Sequence, residues 1–274
     1  MTRLTEDDVR GLAARLPEFD AGLLEVARID LRTLALRACG LDWADSVLAG
    51  ASFAAVPVSS GLGPIPFFSQ CVEVILRHIG CDAFVTSQPD VKGLQEAADR
   101  GARVLFVADD DRFVALNVFS GACADDDPCT ANGYATALEA AAGDLSGRPV
   151  LVLGLGPVGR AASRRLAALG ARVLAVEPDE ARAAAAVADF GLTIVSLAGG
   201  LDATGLVFDA TPVADLIDAD RITADSIAAV PAVPSGFTDA AQTLLGARHI
   251  HEPLAVGVAV MAAEALSGRI STRA

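Results

Sequence analysis

Lysine is almost missing from this chain. Among 274 residues there is one lysine, Lys92, one tyrosine, Tyr134, and one tryptophan. Lys92 and Tyr134 are far apart in sequence, which argues against a tyrosine–lysine proton relay. Positive charge is scarce as a whole: 21 Lys and Arg against 35 Asp and Glu leave a net charge of −14. A duplex-binding surface needs a cationic footprint, so nucleic acid is not an expected partner. The five cysteines, at 39, 71, 81, 123 and 129, include no C-x-x-C pair. Neither a disulfide framework nor a structural zinc site is expected. Cys123 and Cys129 flank Asp125, Asp126 and Asp127, but this is no known ligand spacing; the segment reads as a solvated loop and no metal is expected. Long apolar runs are also absent: the stretch 253–263 falls far short of the ~20 residues that span a bilayer. Glu6, Asp7 and Asp8 give the N-terminus the wrong charge for a signal peptide. The expectation is a cytoplasmic protein that does not contact membranes.

What the chain does have is apolar surface to bury. Hydrophobic residues make up 53% and mean hydropathy is +0.46, enough for a sizeable core. Residues 5–50 read as helices. Thr5 with Asp8 looks like a capping box, and Val9, Leu12, Ala13 and Leu16 recur at helical spacing. From about 51 the pattern changes to short apolar runs alternating with helical stretches. Strands are expected at 52–58, 83–87 and 104–108, with helices near 66–79 and 90–100 between them. That alternation predicts a parallel sheet covered on both faces. Residues 109–133 read as a long polar loop at a boundary. A second α/β unit follows. Its expected strands are 149–153, 173–176, 193–196, 205–208 and 227–230; its helices are 133–144, 157–169, 179–190 and, at the C-terminus, 256–268.

The second unit opens on a glycine motif. The apolar strand 149–153 runs into Gly154-Leu155-Gly156-Pro157-Val158-Gly159, and a helix follows. In that setting Gly154 permits the turn, Gly156 lets a pyrophosphate approach, and Gly159 lets helix and strand pack closely. Pro157 suits the first helical position, and the helix start can bind phosphate. Glu177 ends the next strand, 18 positions after Gly159. An acidic residue there accepts bonds from the adenosine ribose hydroxyls and repels a 2′-phosphate, so NAD is expected over NADP. Thr211 and Pro212 follow a later strand and lie on the cofactor side of such a sheet.

Candidates for the chemistry lie at the carboxyl ends of the first unit's strands. Strand 52–58 leads into Ser59 and Ser60, and strand 104–108 into Asp109 and Asp110. A hydroxyl can orient a substrate there, and a carboxylate can hold an ammonium group or take its proton. His251, just before Glu252-Pro253, is a weaker candidate for a base.

These residues together resemble the pyrrolysine synthase (PylD) family. The matching stretches are Leu4-Thr5; Pro57-Val58-Ser59-Ser60-Gly61; Phe68-Ser69; Gln88-Pro89-Asp90-Val91; Gly101-Ala102-Arg103; Ala108-Asp109-Asp110; Asn117; Pro128-Cys129-Thr130; the glycine motif; Ala210-Thr211-Pro212 with Ala214-Asp215; and Glu252-Pro253-Leu254. They run in family order over nearly the whole chain. The resemblance implies an α/β protein in three parts: an N-terminal helical bundle with a lid helix (1–50), a central α/β domain with a parallel sheet (51–132), and a C-terminal Rossmann domain with a final helix (133–274). It implies NAD, a small-molecule substrate and a homodimer. The substrate implied is L-lysine-Nε-(3R)-methyl-D-ornithine, whose terminal amine is oxidised to an imine and hydrolysed before ring closure. By position, Ser60 and Asp109 would meet the reacting end. Leu4, Thr5, Ser59, Phe68 and Asn117 would contact substrate, and Pro231 and Leu254 would join the cofactor residues. The chain departs from the family at Ser59, often threonine there, at Leu62 for asparagine, at Leu116 for histidine, and at His251 for a methionine-like residue. Two other readings stand beside this one. A shikimate or methylene-tetrahydrofolate type dehydrogenase shares the domain order but uses a catalytic lysine, and Lys92 lies outside that motif context. A non-catalytic NAD-sensing protein would bind the cofactor without turnover.

Overall fold

The computed structural model describes residues 4–41 and 46–267. In chain order its elements begin with α1 (Glu6–Val9), α2 (Leu12–Ala27), α3 (Leu31–Ala38), α4 (Ser46–Ala49), β1 (Ser52–Val56) and α5 (Phe68–His78). Next come β2 (Asp82–Val85), α6 (Asp90–Asp99), β3 (Val104–Ala108), β4 (Phe113–Asn117), β5 (Cys123–Asp125) and α7 (Asp126–Ala142). The second half holds β6 (Pro149–Leu153), α8 (Pro157–Ala168), β7 (Arg172–Val176), α9 (Glu180–Phe190), β8 (Thr193–Ile194) and α10 (Leu197–Ala203). It closes with β9 (Leu206–Asp209), β10 (Ile227–Ala229), α11 (Asp239–Leu245), β11 (His249–Ile250) and α12 (Ala255–Leu266).

Two compact units emerge. One comprises 4–18, 31–129 and 254–267 within the described residues; the other comprises 19–30 and 130–253. The helices of the first 41 residues are therefore shared between the units, and the chain crosses over within α2 and within α7. α12 belongs to the first unit.

In the first unit the strands pair in the order β2-β1-β3-β4-β5. β1 lies parallel to β2 and β3, while β4 and β5 are antiparallel. β1 is apolar and buried from Phe53 to Val56, as expected for a strand covered on both faces. One face packs Ala54, Val56 and Leu105 on Ala97 of α6. α12 is buried on every side and packs on α3, α5 and β4. A helix apolar all round belongs inside a core, and its sequence has no polar face to offer water.

The segment read as a polar loop, 109–133, is folded. Asp109 to Arg112 turn the chain, and β4 pairs back on β3 from Ala108↔Phe113 to Val104↔Asn117. The charges of the turn hide a five-residue strand. Asp126 and Asp127 are not a solvated loop either: they form the first turn of α7, where carboxylates favour the positive end of the helix dipole. The helix therefore starts at 126, not 133. Near the N-terminus, the Thr5 amide and hydroxyl both donate to the Asp8 carboxylate, at 2.6 and 2.7 Å. The helix they open is short: Gly11, at φ +75°, breaks it from α2. Val9, Leu12 and Leu16 are buried as expected, but Ala13 is exposed.

The second unit is a six-stranded parallel sheet in the order β11-β10-β9-β6-β7-β8. Numbered from β6 this is 3-2-1-4-5-6, the doubly wound dinucleotide-binding order. Tyr134, on α7, is held by its hydroxyl rather than presenting it. The hydroxyl donates to the Glu252 carbonyl at 2.7 Å and accepts from the Glu252 amide at 3.0 Å. Tyr134→Phe removes one partner from each of two buried backbone groups. We expect a loss of about 1–3 kcal/mol in urea unfolding. A variant with the wild-type midpoint would show that this bond carries no stability.

Candidate functional site

The glycine loop is shaped by two close approaches and one gap. Gly154 is at φ +80°, and a Cβ on it would lie 2.9 Å from the Ala210 carbonyl oxygen. A Cβ on Gly159 would lie 2.0 Å from the Gly154 carbonyl oxygen. The fold therefore demands both glycines. Gly156 differs: a Cβ there would meet no atom within 4 Å. Packing does not explain this glycine, and the space beside it is open. Pro157 stands at the start of α8, and the first-turn amides of a helix are left without helical acceptors. These residues fit the pyrophosphate of NAD.

Glu177, at the end of β7, is tied to the same loop. Its side chain is 2% exposed. The carboxylate accepts from the Leu155 amide at 2.7 Å and the Asp179 amide at 3.0 Å. Arg182, in the first turn of α9, reaches both its oxygens at 3.3 Å. Thr211 is buried, with its amide on Asp209; Pro212 is exposed, and Pro231 follows β10. All three lie beyond carboxyl ends of strands. The Asp209 carboxylate also accepts from the Gly236 amide at 2.7 Å, and its burial raises its pKa to about 6. Leu254 is buried and leads into α12, in the other unit.

Two histidines stand at the end of β11. His251 Nδ1 lies 2.7 Å from the Val230 carbonyl. A carbonyl only accepts, so Nδ1 carries a proton. Burial pushes the pKa of His249 down to about 3, and its Nε2 sits 3.2 Å from the Ser235 hydroxyl.

In the first unit, parallel pairing brings the ends of β1, β2 and β3 to one edge. The segments after β1 and β3 place Ser59, Ser60, Asp109 and Asp110 there. Asp109 Oδ1 accepts from the Asp111 and Arg112 amides at 2.9 and 2.8 Å. These bonds cap the β3–β4 turn and hold its pKa below the usual carboxylate range. Asp110 accepts from the Leu62 amide at 2.8 Å. Gly61 lies at φ +65°, a conformation that side-chain-bearing residues rarely adopt, so this turn also favours glycine. Ser59 donates its amide and hydroxyl to Asp90 at 2.8 and 2.5 Å. Ser60 and Leu62 are exposed. Phe68 opens α5 and meets Phe113 edge-on at 5.1 Å. Cys71 of α5 donates its thiol to the Val9 carbonyl at 3.3 Å, so α1 lies along α5, with Leu4 buried and Thr5 exposed.

Asn117 closes β4 and is bonded within its own unit. It is 1% exposed. Its amide donates to the Ala265 carbonyl at 2.9 Å, and its oxygen accepts from the Phe119 and Ser120 amides at 3.0 and 3.2 Å. It ties the β4–β5 turn to α12. Asp90 and Arg182 were not foreseen. Both are ordinary charged residues in helical segments, and only the folded chain brings them to Ser59 and Glu177.

Comparison with known proteins agrees with this geometry. Residues 8–124 match a family described as "Pyrrolysine biosynthesis protein PylD, N-terminal domain". Residues 114–228 match "D-isomer specific 2-hydroxyacid dehydrogenase, NAD binding domain". The chain is similar to pyrrolysine synthase of Methanosarcina acetivorans, at 31% identity over 95% of this chain and 98% of that one. Pyrrolysine synthase of Methanosarcina barkeri is 32% identical, with 95% and 97% covered. Among solved structures, shikimate 5-dehydrogenase from Thermus thermophilus has a TM-score of 0.53 at 18% identity, covering 80% of this chain and 94% of that one. Quinate dehydrogenase from Corynebacterium glutamicum has a TM-score of 0.51 at 17% identity, with 80% and 94% covered. At such identities the likeness shows the fold alone. Among the described residues no helix is long and apolar enough to cross a membrane.

The gap at Gly156 yields a sharp expectation. Gly156→Ala fits the ligand-free fold, because its φ of −64° suits alanine and the new methyl touches nothing. Its stability should stay within about 0.5 kcal/mol of wild type. Its NAD affinity should fall by about tenfold or more, because the methyl occupies the approach to the pyrophosphate. Wild-type affinity by calorimetry would refute the assignment of the gap.

Proposed function

The chain belongs to the pyrrolysine synthase family, and from that premise we propose that it oxidises the terminal amine of L-lysine-Nε-(3R)-methyl-D-ornithine and so forms pyrrolysine. The observation that carries this reading is Asp109, a carboxylate kept ionised at the end of β3 by two backbone amides on one oxygen. Its other oxygen is left to meet an ammonium group. Such an edge suits a cationic substrate, and the exposed Ser60 after β1 suits a polar one.

Bound NAD supplies the acceptor for a hydride from the aminomethyl carbon. Residues 154–159 would hold its pyrophosphate and Glu177 its ribose. The substrate amine arrives protonated and must be neutral before hydride can leave. Asp109 would orient the ammonium by charge. Its depressed pKa suits it to guide that proton towards solvent rather than keep it. Ser60 would place the neighbouring polar atoms, and the Phe68 ring would pack on the aliphatic part. Water then hydrolyses the substrate imine to an aldehyde and ammonia, and the aldehyde condenses with the α-amine, losing water to close the ring. We take the assembly to be a homodimer on the family resemblance, and the protein to be cytoplasmic on its cysteine pattern. Incubation with NAD and the synthetic substrate, followed by mass spectrometry, tests the reaction. The expected product is the pyrroline; unchanged substrate would refute the proposal.

Asp109→Asn separates charge from structure. Its side-chain oxygen can still accept from the Asp111 and Arg112 amides, so the turn should survive. Turnover should fall by about 10²–10⁴-fold, the usual contribution of an acid–base or orienting group, with NAD affinity nearly unchanged. Asp109→Ala should lose stability as well as turnover. A fully active Asp109→Asn enzyme would move the role to Asp110 or His251.

A further inference from the structure

We infer that Arg182 is a specificity residue of the dinucleotide site, one that lets the protein accept a 2′-phosphate beside Glu177. The inference concerns the cofactor unit and does not depend on which substrate is oxidised. A bare carboxylate at the end of the second strand of such a sheet favours a ribose hydroxyl and repels a phosphate. Here the carboxylate is not bare. Two of its roughly four acceptor positions take the Leu155 and Asp179 amides. Arg182 Nη1 approaches from another side, 3.3 Å from each oxygen. Glu177 is buried, whereas the Arg182 side chain is 47% exposed.

The pair therefore turns a guanidinium, not a carboxylate, towards solvent. Guanidinium is the group best matched to a phosphate, through parallel N–H donors and a fixed charge. The other arginines nearby are engaged elsewhere: Arg160 pairs with Asp189 at 2.6 Å, and Arg164 lies over the Phe190 ring. Asp179, 3.7 Å from Arg182, and Glu180 keep the locus acidic overall, so NAD remains the better ligand. The margin over NADP is narrowed by Arg182.

Calorimetry on the full chain, with NAD and NADP titrated separately, tests this. Titrating NAD into the wild type is the control for the cofactor site itself. In Arg182→Ala, NADP affinity should fall by about tenfold, the worth of one charge-assisted contact. NAD affinity should change by less than about threefold. Arg182→Lys should recover part of the NADP affinity, since it restores the charge without the fork. Equal losses for both dinucleotides would mean that Arg182 only braces Glu177. An unchanged NADP-to-NAD ratio would mean that it plays no part in the choice. Either result overturns the inference. Arg182→Gln, which keeps most of the side chain's bulk, provides the same comparison if the alanine variant misfolds.

Discussion

Parallel strand pairing is the constraint on which the rest of the structure depends. Strands that run the same way end at the same edge, and each must return through a helix. The segments after the strands therefore gather at one edge of each sheet. In the second unit that edge holds the glycine loop, Glu177, Thr211 and His251. In the first it holds Ser59, Ser60, Asp109 and Asp110. Neither group is contiguous in sequence, and neither would exist if the strands alternated in direction.

A second feature follows from the first. The polar groups at these edges are bound to backbone amides before any ligand arrives. Glu177 pins the glycine loop through the Leu155 amide. Asp109 caps its own turn, Asp110 holds Leu62, and Asp90 holds Ser59. Each carboxylate thus spends acceptor capacity on holding the geometry of its own loop. Such preorganisation lowers the ordering cost when a ligand binds. It also means that removing a carboxylate here disturbs a loop as well as a charge, so amide variants are the informative ones.

The parts of this fold legible in sequence were those with a local signature. The apolar runs of β1, β3, β6 and β7 stand out because strands covered on both faces carry little else. The glycine loop stands out because two of its glycines answer steric demands. The hairpin after β3 was not legible, since Asp109, Asp110 and Asp111 mark a turn without revealing that a strand pairs back behind it. The acidic run at 125–127 read as solvent-facing, and only the helix it opens explains it. The bond from Asn117 was not legible because its partner, the Ala265 carbonyl, lies 148 positions away. Arg182 escaped because the charge of a surface helix says nothing about which strand end it covers.

The central claim is that hydride leaves the aminomethyl carbon of the substrate. Substrate carrying deuterium at both hydrogens of that carbon, incubated with the protein and NAD and analysed by mass spectrometry, tests it most directly. The account predicts a ring-closed product that retains one of the two deuterium atoms, with one equivalent of ammonia released. A product that keeps both, or one formed without release of ammonia, would contradict it.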